Sequence, residues 1–254
     1  MMRKKAIFTF VITMLPASSL AAQVTGEKGA SASFSPVTLI IILAALSLLP
    51  FILMTATSFV KITVVFSILK NALGAGQIPP ASVISGISIV LTLYVMQPVI
   101  WKCYDKAKPI LDAKEEGDIL TRHNAEKLIE LFNECKEPVK DFLLKNSSST
   151  SRKIFLDMST SRNKSAGKTP PSQNDFAILL PSFLITELGE AFFIGFLIFL
   201  PFLVIELVVS NVLLSLGMHM LNPTTVSLPF KLLLFVSVSG WEIISRGLVM
   251  GYKF

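Results

Sequence analysis

The chain has 254 residues, 52% of them hydrophobic and 16% charged, with a mean hydropathy of +0.66. That balance is too apolar and too poor in charge for an ordinary soluble domain, and it puts the chain in or against a membrane. The formal net charge of +6 owes much to Arg3, Lys4 and Lys5, and no basic face interleaved with aromatics accompanies it, which argues against a nucleic-acid surface.

Those three basic residues, an apolar run over 6–15 and small residues up to Ala21 and Ala22 predict a signal peptide at 1–22. The run is about ten residues, half of what a bilayer core requires; the alternative is an uncleaved anchor. Removal of the signal puts the new start of the chain on the outer side of the membrane, with 23–36 as a short exposed lead-in. Residues 37–60 and 71–101 carry no charge, and together they read as a first apolar helical hairpin over 37–101. Lys61 and Lys70 bracket the join, and lysines around a short connection favour its cytoplasmic placement. Gly74, Gly76, Pro79 and Pro80 stop one helix there and start the next.

Residues 102–175 are dense in both signs of charge. Leu128, Ile129, Leu131 and Phe132 give an amphipathic helix, continued past Pro138, whereas 147–151 and 159–174 read as flexible linker. The preceding topology puts this region on the outer, periplasmic side. Its cysteines, Cys103 and Cys135, are candidates for a disulfide there; two separate thiols are the alternative.

Residues 176–254 form a second apolar hairpin that carries Glu187, Glu190, Glu206, Lys231 and Glu242. Each charge costs about 2.5 to 3.5 kcal/mol on insertion scales, so these side chains should face protein or water. Glu206 and Lys231 flank the hairpin turn at comparable distances and form a candidate ion pair. The turn runs from Gly217 through Met218, His219, Met220 and Pro223 to Pro229. Thioethers neither transfer protons nor attack carbonyls, but methionine is flexible and polarisable and repacks around what touches it. Met218 and Met220 are therefore either a deformable plug or gap-filling core.

Catalytic and metal patterns fail. Ala166 to Thr169 imitates a nucleotide loop, but the leading glycine would fall at Arg162, and Pro170 and Pro171 cannot open the required helix. His123 and His219 lie far apart, with no zinc-ligand spacing and no serine-hydrolase elbow, so no enzyme activity, metal or cofactor is expected.

The segments Ser47-Leu48-Leu49-Pro50, Thr57 to Ile62, and Leu69 to Gly74 with Pro79-Pro80 resemble the family of flagellar FliP and injectisome SctR proteins. So do Ile194 to Leu203, Gly217-Met218, Pro223, Ser227 to Lys231 and Gly240-Trp241. The likeness covers 37–101 and 176–254. It implies an all-α, polytopic protein whose helical hairpins assemble into an oligomeric cone, a core subunit of the type III secretion export gate in the bacterial inner membrane. Implied partners are further copies of the chain, SctS/FliQ-like and SctT/FliR-like subunits, and unfolded secretion substrates in transit. Met218, His219 and Met220 would form the gasket that closes the conduit.

The chain departs from the family where it has His219 for a usual methionine and Ser239 for a common aspartate before Gly240-Trp241. Imidazole changes charge near neutrality, so His219 either switches the seal or serves as neutral bulk. The segments 69–73 and 208–214 look like injectisome versions, while the signal is more typical of flagellar ones; the injectisome branch is favoured. The competing readings are a passive membrane scaffold and a solute transporter, for which an internal repeat would be expected.

Overall fold

The structure, a computed structural model, describes residues 43, 47, 50–74, 76, 79–112, 122–165 and 171–254. The expected signal at 1–22 and the lead-in at 23–36 lie outside the described residues. Every regular element among the described residues is a helix. A helical segment, Pro50–Ala56, turns through 80° into α1, Phe59–Leu73. Then follow α2 (Ala81–Asp112), α3 (Arg122–Asn146), α4 (Ser149–Ser165), α5 (Phe176–Ser215), α6 (Pro223–Ser237) and α7 (Gly240–Met250). The last two meet at 59°.

The uncharged stretch 37–60 is not one straight span, because it breaks at Thr57 and Ser58. Hydroxyls bend the chain there: Thr57 Oγ1 donates to the carbonyl of Leu53 and Thr55 Oγ1 to that of Phe51, at 2.9 Å for the latter. Nor do Lys61 and Lys70 bracket a connection, since both lie inside α1 and the turn follows Leu73. Gly74 closes α1 in the left-handed region at φ 69°, donating its N–H to Asn71, a conformation that favours glycine.

The buried face of α1 is Lys61, Ile62, Val65, Phe66, Leu69, Ala72 and Leu73, the three- and four-residue spacing of a helix stripe. That stripe lies mainly along α5. At Gly195 the two helices come so close that a methyl group would overlap Ile68. Phe66 reaches Trp241 at 5.8 Å between ring centroids, and Trp241 meets Phe235 edge-on at 5.3 Å. Gly240 makes room for that contact, because a side chain there would occupy the Phe235 ring.

The expected boundary at residue 101 falls inside α2. α2 continues to Asp112 through Pro98 and Pro109, and α3 runs unbroken past Pro138. Residues 149–165, partly assigned to linker on their serine and lysine content, form α4. α4 packs along α5, and the Ser148 N–H that precedes it is held by Thr186 Oγ1 at 3.0 Å, so tertiary contact overrides weak propensity. Behind this, Phe142 of α3 packs against Phe183 at 5.7 Å and stacks on Tyr252 at 5.9 Å. Asn146 secures the same corner: its Nδ2 donates to the Lys253 carbonyl and its Oδ1 accepts the Lys253 N–H, each at 3.0 Å.

α2 over Ala81–Pro109 and α5 over Phe176–Ser215 are long and apolar enough to cross a membrane, and each bent pair passes the same test as one broken span. α5 has 40 residues, a rod of about 60 Å, against a hydrocarbon core of about 30 Å. The protein is thus an all-α membrane protein.

At the bend before α7, Ser239 sits at φ 52° and ψ 48°, the left-handed region, with no capping hydrogen bond from its hydroxyl. That conformation suits Asn or Asp, whose short polar side chains tolerate it, so the aspartate expected from the family likeness would fit this backbone. Ser239→Asn is expected to stabilise the fold by about 0.5 to 1 kcal/mol, and the β-branched Ser239→Val to destabilise it by about 1 to 2 kcal/mol. Thermal midpoints of the detergent-purified protein check this; a Val variant as stable as the parent would remove the strain argument.

Candidate functional site: a clamped turn above an ion pair

The turn after α5 is closed by backbone alone. Leu216 caps the helix, Gly217 takes φ 74°, its N–H donates to Leu214 at 3.0 Å, and the Met218 N–H donates to Leu213 at 2.9 Å. These are the paired bonds of a Schellman cap, which needs a residue able to adopt positive φ at Gly217. On the other side Asn222 caps α6, its Oδ1 accepting the Thr224 N–H at 3.0 Å, with Pro223 in the first helical position. Pro229, expected in the turn, is inside α6 instead.

Between these caps the side chains stand free. Met218 is 48% and Met220 98% exposed, His219 is exposed, and Leu216 and Leu221 lie open on either side. Within the chain neither methionine fills a core gap. The tip is uncharged, apolar and adaptable, so it can shape itself to a surface brought against it.

Below the turn, Lys231 Nζ of α6 lies 2.6 Å from Glu206 Oε2 of α5, and Thr224 Oγ1 donates to the other carboxylate oxygen at 2.5 Å. The Lys231 side chain is 2% exposed. Gly74 abuts the same place, its missing β-carbon falling 3.0 Å from Thr224 Cγ2 and 3.7 Å from Lys231 Nζ. The turn before α2 is thereby seated on the first turn of α6.

A second cluster lies 16 to 19 positions before Glu206 along α5, at Glu190 and Glu187, and is absent from the sequence reading. Lys61 Nζ contacts Glu187 Oε1 at 2.8 Å and Glu190 Oε2 at 2.6 Å. Its ammonium also stands 4.4 Å from the centre of the Tyr252 ring. The Tyr252 hydroxyl donates to Glu187 Oε2. Burial, and next the Glu187 carboxylate, push the Tyr252 phenol above its ordinary value, which keeps it protonated as a donor. The available signal was Glu187 and Glu190 three positions apart on one helix face, needing a cation, with Lys61 set in an otherwise apolar stretch.

Cys103 of α2 and Cys135 of α3 face one another as free thiols. The Glu206–Lys231 pair adjoins the turn through Thr224, whereas Lys61, Glu187 and Glu190 form a separate cluster between α1 and α5, and the cysteines lie at the α2–α3 seam.

The FliP family matches residues 42–248. The chain is 44% identical over 216 residues to Yop proteins translocation protein R of Yersinia pestis, covering 85% of this chain and 96% of that protein. It is 37% identical over 215 residues to the hypersensitivity response secretion protein HrcR of Ralstonia nicotianae, covering 85% and 96%. Flagellar biosynthetic protein FliP of Caulobacter vibrioides is 36% identical over 261 residues, covering 99% and 92%. With a family match that takes in the clamped turn and the charged residues of both ion-pair clusters, the chain belongs to the FliP family.

Proposed function

We propose that the chain is a core subunit of a type III protein secretion export gate, of the injectisome branch. Several copies, joined by SctS/FliQ-like and SctT/FliR-like subunits, enclose a conduit for unfolded proteins across the bacterial inner membrane. The charged region around α3 and α4 lies on the outer side. Met218, His219 and Met220 line the narrowest point and seal it between substrates. The observation that carries this reading is the turn itself: apolar, adaptable side chains held out on a backbone capped at both ends, with Met220 98% exposed. Support for assembly comes from the apolar surface left uncovered on α5 and α6, where Phe193, Leu233 and Val236 are 65%, 69% and 74% exposed.

The double variant Met218→Ala/Met220→Ala is expected to assemble with its partners yet pass small ions in planar bilayers, at least about tenfold above the parent, since each change removes a side chain that excludes water. An unchanged leak from a correctly assembled complex would end the gasket reading in favour of a passive scaffold. Recordings of His219→Met over about pH 5 to 8 separate the two roles of the imidazole: a pH dependence lost in the variant marks a switch, an identical profile marks bulk.

A further inference from the structure

The chain contains two cysteines, 32 positions apart, and the fold sets them opposite one another. Cys103 Sγ lies 3.6 Å from the carbonyl oxygen of Cys135, and Cys135 Sγ lies 3.9 Å from the carbonyl oxygen of Cys103. Such a reciprocal pair of contacts requires that the residues face each other across two packed helices. The helices run antiparallel there, as Lys102 paired with Asp141 at 3.8 Å and Lys106 paired with Glu134 at 3.5 Å require. Both thiols are half-buried at that seam. The ion pairs beside them are about half exposed and hold the helices weakly.

We propose that Cys103 and Cys135 are the site of an intrachain disulfide that staples α2 to α3 on the outer side of the membrane. The proposal rests on the orientation given above, not on the gasket. The sulfurs would turn from the opposing carbonyls toward each other, since each already reaches the backbone of the other cysteine across the seam. The oxidant is the disulfide of a thiol–disulfide exchange protein of the oxidising compartment. A thiolate of one cysteine attacks it, the second cysteine displaces that protein from the mixed disulfide, and the exchange protein leaves as a dithiol with the two electrons and two protons. The closed loop runs from Cys103 to Cys135, so the bond ties together the two helices that the half-exposed pairs Lys102–Asp141 and Lys106–Glu134 also join.

The full chain, produced with its export-gate partners, is quenched in acid and alkylated under denaturing conditions with a maleimide mass tag, with and without prior reduction. The expected result is no tag before reduction and a tag on each cysteine after it, with a monomer band on a non-reducing gel. Cells lacking the periplasmic thiol oxidant should yield tagged protein without reduction. Tags before reduction in wild-type cells, or a reductant-sensitive dimer, overturn the proposal; so does a bond made only by adding oxidant to purified protein. The exposed Met158, changed to Met158→Cys in a Cys103→Ser/Cys135→Ser background, reports sidedness through an impermeant maleimide added to spheroplasts. Free thiols with Met158→Cys labelled refute the disulfide alone, and free thiols with it unlabelled refute the orientation as well.

Discussion

Lys61→Met is expected to cost about 3 to 5 kcal/mol of stability and to remove most of the chain from detergent-extracted complexes. The Lys61 side chain is 4% exposed and that of Glu187 1%. Deleting the ammonium leaves a carboxylate in the packed seam between α1 and α5, with Tyr252 as its remaining direct donor. Glu190, 55% exposed, is not enclosed in that seam and loses less. Adding Glu187→Gln removes the stranded charge and keeps an acceptor for Tyr252. Lys61→Met/Glu187→Gln is therefore expected to recover most of the loss, to within about 1 to 2 kcal/mol of the parent. Protease-resistant yield and thermal midpoint read the difference; a double variant as unstable as Lys61→Met would mean that Lys61 acts by something other than neutralising Glu187.

At the second pair the two partners are unequal, and the expected losses are unequal with them. Glu206→Gln leaves the Lys231 ammonium, 2% exposed, without its charge partner, and should cost about 3 to 5 kcal/mol. Lys231→Met leaves Glu206, which is 34% exposed and still accepts from Thr224, so its cost should be about 1 to 2 kcal/mol. The order follows from which charge the chain encloses more fully, not from the bond they share. Equal losses in denaturation of the purified complex would show that the carboxylate is as enclosed in the assembly as the ammonium. Because Lys231 also adjoins Gly74, the larger loss should extend to the turn before α2, as faster proteolysis there.

How much of this was legible from residues depends on how far apart the deciding groups lie. Glu206 and Lys231 stand either side of one turn, so local symmetry suggests the pair; their atoms lie 2.6 Å apart. Lys61 and Glu187 are 126 positions apart in a chain of 254, and lysine beside an apolar run is a common flank signal, so Lys61 reads as a boundary. The bends at Ser58 and Ser239 are equally silent, because hydropathy registers how apolar a stretch is and not its direction. α4 was hidden by composition, since its serines and lysines resemble linker until α5 is laid beside it. By contrast, Gly217 and Pro223 read as turn residues and lie at its two caps, whereas the Asn222 cap went unread and Pro229, expected in the turn, falls inside α6.

Those caps set a clock as well as a shape. With the backbone held on both sides of Met218, His219 and Met220, what remains mobile at the tip is rotation about side-chain bonds. Exposed rotamers exchange in picoseconds to nanoseconds, whereas hinge motions of helices take microseconds or longer. In the proposed gate, a seal of this construction re-forms around each passing side chain as fast as methionine reorients, and leakage during transit is limited without any helix having to close.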